Sequence, residues 1–215
     1  MYFDGIRFAI EMIDTSYQRL VDGLERIASN DERAAAHAPI AMLDAWAVID
    51  SANRLRVLLA ETPGLKKKTP AIEVVRRSLE PSEALRNSVQ HLPGSIAGHA
   101  HSGTPTWGSL SWHRIDSSEA GRGFIVVPGG LRALKNQARL KSPAGLMFHS
   151  NPDHVTLSAY GAEVDLSNTH RAVGEFTAGF ERVLEEAFAQ ADEASERTGS
   201  DLVSVVAWRL VPGRK

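Results

Sequence analysis

The first thirty residues carry one apolar stripe that only a long helix would place on a single face. Its members recur at alternating spacings of four and three residues: Ile6, Ile10, Ile13, Tyr17, Leu20, Leu24 and Ile27. This spacing predicts an amphipathic helix over residues 5–28. Alternating fours and threes are typical of helical bundles and of helix-mediated dimer seams, and the stripe alone fits both arrangements.

Two more helices are predicted directly after the first. The longer one covers residues 39–60, and its apolar positions are Ile40, Leu43, Ala47, Leu55, Leu58 and Leu59. A short helix is predicted over residues 71–79, because Thr69 is a good N-cap and Pro70 suits a first helical turn.

The sequence pattern changes after residue 94 from helical periodicity to short β-rich stretches. Short β-rich stretches separated by turn residues predict strands over residues 107–115, 122–127, 145–149, 154–159 and 163–166. A short helix over residues 130–141 interrupts these strands, and a turn is expected over residues 150–153. Asn168 is expected to cap a long helix over residues 169–197, and a last strand is expected over 202–210.

These elements predict an α+β protein, an up-and-down helical bundle with an inserted small antiparallel β-sheet. The change in sequence pattern divides the chain into three regions. Residues 1–94 supply the first helices, residues 95–167 form the β-rich insertion, and residues 168–215 bring a returning long helix and the C-terminal strand.

Composition narrows the class of protein. With 215 residues, 43% of them hydrophobic, the chain can bury a core. Because it contains no cysteine, disulfides and thiolate metal sites are excluded, and a reducing, cytoplasmic location is expected. The first residues do not resemble a signal peptide, and no apolar run approaches membrane-spanning length, so no membrane partner is expected.

The chemistry-bearing motif is Arg86-Asn87-Ser88-Val89-Gln90-His91. It is predicted to lie wholly inside a helix that starts at Pro81 and ends at Pro93-Gly94. On such a helix Asn87 and His91 are neighbours on one face, and Arg86 stands about 140° away from His91. A guanidinium, an amide and an imidazole are groups that bind a phosphodiester and move protons around it.

This string and its placement resemble the HEPN domains, small helical bundles that carry an R-x(4–6)-H type motif, with Asn, Asp or His after the Arg, on their third long helix. Four residues separate Arg86 from His91, which is the short form of the motif. The resemblance covers residues 1–92 and 168–197. It implies a HEPN-like bundle that forms a homodimer in which the two motifs face each other. It also implies a metal-independent endoribonuclease with catalytic Arg86, Asn87 and His91, in which a histidine assists attack of the RNA 2′-hydroxyl on the adjacent phosphate. Toxin or defence ribonucleases, with an antitoxin or regulatory protein as partner, fit this description.

Two sets of charged residues accompany the motif. Asp50 and Arg54 lie four apart on the second helix, where they are expected to hold Arg86 or to pair with each other. Residues 93–147 carry six basic and two acidic residues, a local excess that suits a polyanion. Within that region, four cations could bind an RNA backbone as substrate-binding residues: Arg132, Lys135, Arg139 and Lys141.

Two other functions compete with the ribonuclease. One is a non-catalytic dimeric module that binds nucleic acid or a protein through the basic middle of the chain. The other is a metal-dependent hydrolase with ligands at His99, His101 and His113. No carboxylate stands at ligand spacing beside these histidines, so we expect neither a bound metal nor another cofactor.

Overall fold

The computed structural model describes residues 2–29, 34–63, 65, 69–99, 105–115, 121–128 and 147–190. Six helices occur in these ranges: α1 (Tyr2–Ala28), α2 (Ala34–Glu61), α3 (Pro70–Leu79), α4 (Pro81–Gln90), α5 (Leu92–His99) and α6 (Leu166–Gln190). Four strands accompany them: β1 (Ser109–Ile115), β2 (Gly121–Val126), β3 (Asp153–Ala159) and β4 (Ala162–Asp165). The mixed α+β class predicted from the sequence is therefore confirmed.

The chain divides into two compact units, Met1–Gly179 and Phe180–Lys215. The first unit contains α1 to α5, all four strands and the first part of α6. Of the second unit, the structure describes the continuation of α6 to Gln190. The short helix predicted over 130–141, the last residues of the helix predicted over 169–197 and the strand predicted over 202–210 lie outside the described residues.

The apolar stripe of α1 is buried inside the chain. Its buried members are Ile6, Ile13, Tyr17, Leu20 and Leu24, and α1 packs along α2. Close approach is possible because small residues meet here: a Cβ on Gly23 would lie 3.7 Å from the Cβ of Ala41. Each buried leucine or isoleucine contributes about 1.5–3 kcal/mol to the free energy of unfolding. Of the two arrangements left open by the sequence, the structure shows the stripe packed within the helical bundle of one chain.

The buried face of α2 agrees with the predicted one only near the end of the helix, where Leu55 and Leu59 are buried. Near its start, Ile40 and Leu43 are 50% and 63% exposed, and the buried positions include Ala41, Met42 and Ala45. Of the alanines of α2, the prediction had named Ala47 alone. Alanines face α1 because two helices that approach closely leave little room for side chains between their axes.

The sheet is antiparallel throughout, with strand order β2-β1-β3-β4. Leu110, Trp112, Val155 and Leu157 supply its buried side chains. Gly108, just before β1, has a φ of +78°, and a Cβ at this position would collide with the carbonyl oxygen of Ser158. Most predicted strands are confirmed with shifted ends, but the strand predicted over 145–149 is wrong for residues 147–149, which have no strand pairing.

Two helix ends also differ from the predictions. Pro93 and Gly94 do not end a helix but lie in the first turn of α5, where a proline needs no backbone N–H. The cap of α6 is Asp165, because its Oδ1 accepts a hydrogen bond of 2.8 Å from the Asn168 backbone N–H. Asn168 was predicted as that cap, but a carboxylate three residues earlier takes the role.

No helix in the described part of the chain is long and apolar enough to cross a membrane.

The turn before β3 is organised by one buried carboxylate. Asp153 is 1% exposed and accepts backbone N–H bonds from His149 (2.6 Å), Ser150 (3.3 Å) and His154 (2.7 Å). Burial by itself would raise the pKa of Asp153. The bonds from His149 and His154, the charge of His154 and the bond from Ser150 outweigh it, so the pKa lies below the ordinary value.

Asp153→Asn should lower the free energy of unfolding at pH 7 by on the order of 2–3 kcal/mol, because an amide cannot accept on both sides. A depressed pKa stabilises the fold above the unfolded-state value of about 3.9 and loses that contribution as pH falls below it. The difference between wild type and Asp153→Asn should therefore shrink on acidification. Urea unfolding at several pH values measures this, with the exposed Asp22→Asn as control. A difference that is constant with pH would contradict it.

Candidate functional site

Arg86 is held where α4 packs on α2. Its side chain is 28% exposed, and its Nε donates to Asp50 Oδ1 at 3.0 Å. Its Nη1 donates to Gln90 Oε1, one turn further along α4, at 3.2 Å. Nη2 makes no hydrogen bond to any residue that the structure describes. The guanidinium is thus fixed on one edge and keeps donors for an incoming oxyanion.

Asp50 bridges two arginines. In addition to Arg86, it accepts a hydrogen bond from Arg54 Nε to Oδ2 at 2.6 Å. Burial opposes ionisation of Asp50, but the hydrogen bonds and charges of Arg86 and Arg54 outweigh it and hold the pKa below the ordinary value. The sequence left open whether Asp50 pairs with Arg86 or with Arg54, and the structure has both contacts.

A second ion pair joins the same two helices. Arg56 Nη2 lies 2.9 Å from Glu83 Oε1, and the Arg56 guanidinium also donates to Asn53 Oδ1. The position of α4 on α2 therefore depends on polar contacts at Asp50 and at Glu83, together with the buried Leu85.

Asn87 and His91 are both exposed at the end of α4. The prediction that the motif lies wholly inside one helix is wrong, because α4 ends at Gln90 and His91 is its C-cap, with φ −106° and ψ 35°. The His91 N–H still donates to the Asn87 carbonyl at 3.1 Å, so the two residues remain one helical turn apart. Pro93 has no N–H to continue the ladder, and the Ser95 hydroxyl instead donates to the Ser88 carbonyl at 2.8 Å.

The remaining predicted site residues are distributed differently. Five of the predicted residues lie outside the described part of the chain. They are the cations Arg132, Lys135, Arg139 and Lys141, and His101. His99 is the last residue of α5, and His113 is buried in β1 with its ring edge-on to the rings of Phe148 and His154. Within the described ranges, no group of three or more histidines and carboxylates could hold a metal ion.

The structure also contains a cleft that the sequence did not reveal. It is lined by residues of α1, of the turn over 149–153 and of the first turns of α6, among them Tyr17, Asp153, Ser167 and Arg171. These segments are far apart in the chain, and no spacing pattern connects them. Tyr17 was noted only as a member of an apolar stripe, so a polar role for its hydroxyl could not be inferred.

No protein-family model matches the sequence, and no curated protein or solved structure is significantly similar to it.

Replacing Arg86 by Ala should raise the pKa of Asp50, because one of the two cations that favour its ionised form is removed. The pH titration of the Asp50 side-chain carboxyl carbon by NMR measures this directly. Arg77→Ala, which removes an exposed arginine of α3, should leave the titration unchanged. An unaltered Asp50 titration in Arg86→Ala would show that the ion pair does not form in solution.

Proposed function

We propose that this chain is a metal-independent endoribonuclease of the HEPN kind that acts as a homodimer. Arg86, Asn87 and His91 are its catalytic residues. The proposal depends most on how Arg86 is held. Asp50 binds one edge of the Arg86 guanidinium, and Asn87 and His91 are exposed at the C-terminal end of the same helix. Two long helices precede the motif and a third follows it, which supports the HEPN comparison.

The geometry suits transfer at a phosphodiester. Asp50 restrains Arg86, so little side-chain freedom is lost when its remaining N–H groups bind phosphate oxygens. Asn87 adds a neutral donor, and His91 adds an imidazole whose ring nitrogens can donate or accept a proton. Arg54 also binds Asp50 and so helps to orient the Asp50 carboxylate toward Arg86. This role needs no contact between Arg54 and the substrate.

The proposed reaction is an internal transesterification. His91 accepts the proton of a ribose 2′-hydroxyl, whose oxygen attacks the adjacent phosphorus. The bond to the 5′ oxygen of the next nucleotide breaks, and His91 of the partner subunit protonates this leaving oxygen. Arg86 stabilises the negative charge that accumulates on the phosphorane. The products are a 2′,3′-cyclic phosphate end and a 5′-hydroxyl end, and neither proton transfer requires a metal.

His91→Ala should lower the RNA cleavage rate by roughly 10²–10⁴-fold, because general acid–base catalysis is lost. Arg86→Ala should lower it by about 10²–10³-fold through lost transition-state stabilisation. Asn87→Ala should cost less, since a neutral hydrogen bond is removed. Digestion of varied RNAs in EDTA, with identification of the cyclic phosphate ends, tests the series.

His37→Ala and Arg77→Ala are the matched controls, because they remove the same side chains from other helices. Circular dichroism should show all variants folded, since Asn87 and His91 are exposed and Arg86 is partly so. Cleavage that persists at the wild-type rate in His91→Ala would refute the site. No cleavage of any RNA by wild type would favour the non-catalytic binding module instead.

The dimer is proposed on a different surface from the buried stripe. Ile40 and Leu43 are exposed apolar residues three apart on α2, so they lie on one side of that helix. This pair is exposed apolar surface that a second copy of the chain would cover, and we propose it as part of the interface.

Light scattering at micromolar concentration should therefore give twice the chain mass of 23.4 kDa. The double variant Ile40→Glu/Leu43→Glu should move the mass toward the monomer, because it places charges in the interface. Val74→Glu, at an exposed position of α3, is the control. A wild-type species of 23.4 kDa would count against the homodimer.

A further inference from the structure

The cleft beside Tyr17 has the dimensions of a small-molecule site. Its volume is about 390 Å³, within the range in which proteins bind cofactors and metabolites. Apolar surface comes from Val21 and Pro152, and polar groups come from Tyr17, Ser167 and Arg171. The Arg86 motif is not part of its lining, so binding in the cleft is independent of the proposed ribonuclease activity.

The wall of the cleft contains one hydroxyl hydrogen more than its contacts use. Tyr17 and Ser167 are each 6% exposed, and their hydroxyl oxygens lie 2.9 Å apart. Ser167 Oγ also accepts the Val155 backbone N–H at 2.9 Å. Two hydroxyls share one mutual hydrogen bond, and no other described residue accepts from either. Whichever way the mutual bond is oriented, one O–H donor has no acceptor among the described residues, and both hydroxyls belong to residues that line the cleft.

The charges around this donor disfavour an anion. Asp14, Asp153 and Asp165 are the nearby carboxylates, and Arg171 is the arginine that lines the cleft. The pKa of Tyr17 reflects the same balance. Burial raises it most, the Ser167 hydrogen bond lowers it, Asp153 and Asp165 raise it further, and Arg171 offsets them in part. The result is a raised pKa, so negative charge at this position is unfavourable.

Two histidines also line the cleft. His170 Nε2 donates to Asp14 Oδ1 at 2.8 Å, and its ring stacks on the Tyr17 ring with a centroid separation of 4.2 Å. His149 lines the opening with an exposed side chain. An uncharged acceptor meets the spare O–H without facing the surrounding carboxylates as a like charge.

The residue types Ser167, His170 and Asp14 could suggest a nucleophilic serine, but the contacts exclude it. The Ser167 oxygen is bonded to Tyr17 and to the Val155 N–H, and His170 Nε2 faces Asp14. A serine with no base in contact with its hydroxyl is not activated. These contacts therefore favour ligand binding over nucleophilic catalysis at Ser167.

We propose that this cleft binds a small uncharged molecule with an amide-type carbonyl, either open-chain or in a ring as in uracil. Its carbonyl oxygen accepts the spare hydrogen of the Tyr17–Ser167 pair. Its apolar part lies against Val21 and Pro152, where it displaces water from apolar surface.

NMR titration of the full chain with benzamide and with benzoate tests the proposal, since the two probes have nearly the same shape and differ in charge. Benzamide should shift the resonances of Tyr17 and Val21 saturably, and benzoate should bind roughly tenfold more weakly or worse. Uracil should shift the same resonances as benzamide. Benzoate binding as tightly as benzamide, or no shift with benzamide and uracil, would overturn the proposal.

Val21→Trp should fill the cleft and abolish the benzamide response. Val74→Trp, which adds the same side chain on the exposed face of α3, should leave the response intact. Benzamide binding that is unchanged in a folded Val21→Trp protein would place the ligand elsewhere and so contradict the proposal.

Discussion

The close pairing of α1 with α2 is the contact on which the rest of the structure depends. The contact is tight, with Gly23 against Ala41 and with Leu20 and Leu24 fully buried. Because both long helices are fixed by this packing, their outer faces become rigid supports. Asp50 on α2 supports the motif helix, and Tyr17 on α1 supports one wall of the cleft. Functional groups on packed helices keep their geometry better than groups on loops.

The two candidate sites use buried or half-buried polar groups in different ways. At the motif, Asp50 holds one edge of an arginine that we propose to bind phosphate, and specificity there would come from charge. In the cleft, a pair of hydroxyls has one spare donor among carboxylates, and specificity there would come from a hydrogen bond to a neutral group. Under the two proposals, the same bundle would bind an anion at one surface and an uncharged ligand at another.

The sequence predicted the long helices and most strands because these follow from periodicity and turn residues. It failed where neighbours in space decide the outcome. The alanines of α2 are buried because α1 comes close, which no property of α2 alone indicates. The end of α4 depends on Pro93, which has no N–H to continue the backbone hydrogen bonds of the helix. At the motif, the i,i+4 spacing predicted the Asp50–Arg54 contact, and Arg86 was one of the partners foreseen for Asp50. The Tyr17–Ser167 pair is 150 residues apart in the chain and left no signal.

The break between α4 and α5 separates a firmly held part of the motif from a part that can move more easily. Arg86 belongs to a helix anchored to α2 at two ion pairs, whereas His91 stands at the joint where one hydrogen-bond ladder stops and another starts. Such a joint bends more easily than a continuous helix, since few backbone hydrogen bonds cross it. In the proposed reaction, the group that binds phosphate would thereby be fixed, and the group that transfers protons would be free to adjust its position. An enzyme arranged in this way would first hold its substrate and then bring the imidazole into line by a small rotation at His91, with no movement of the bundle itself.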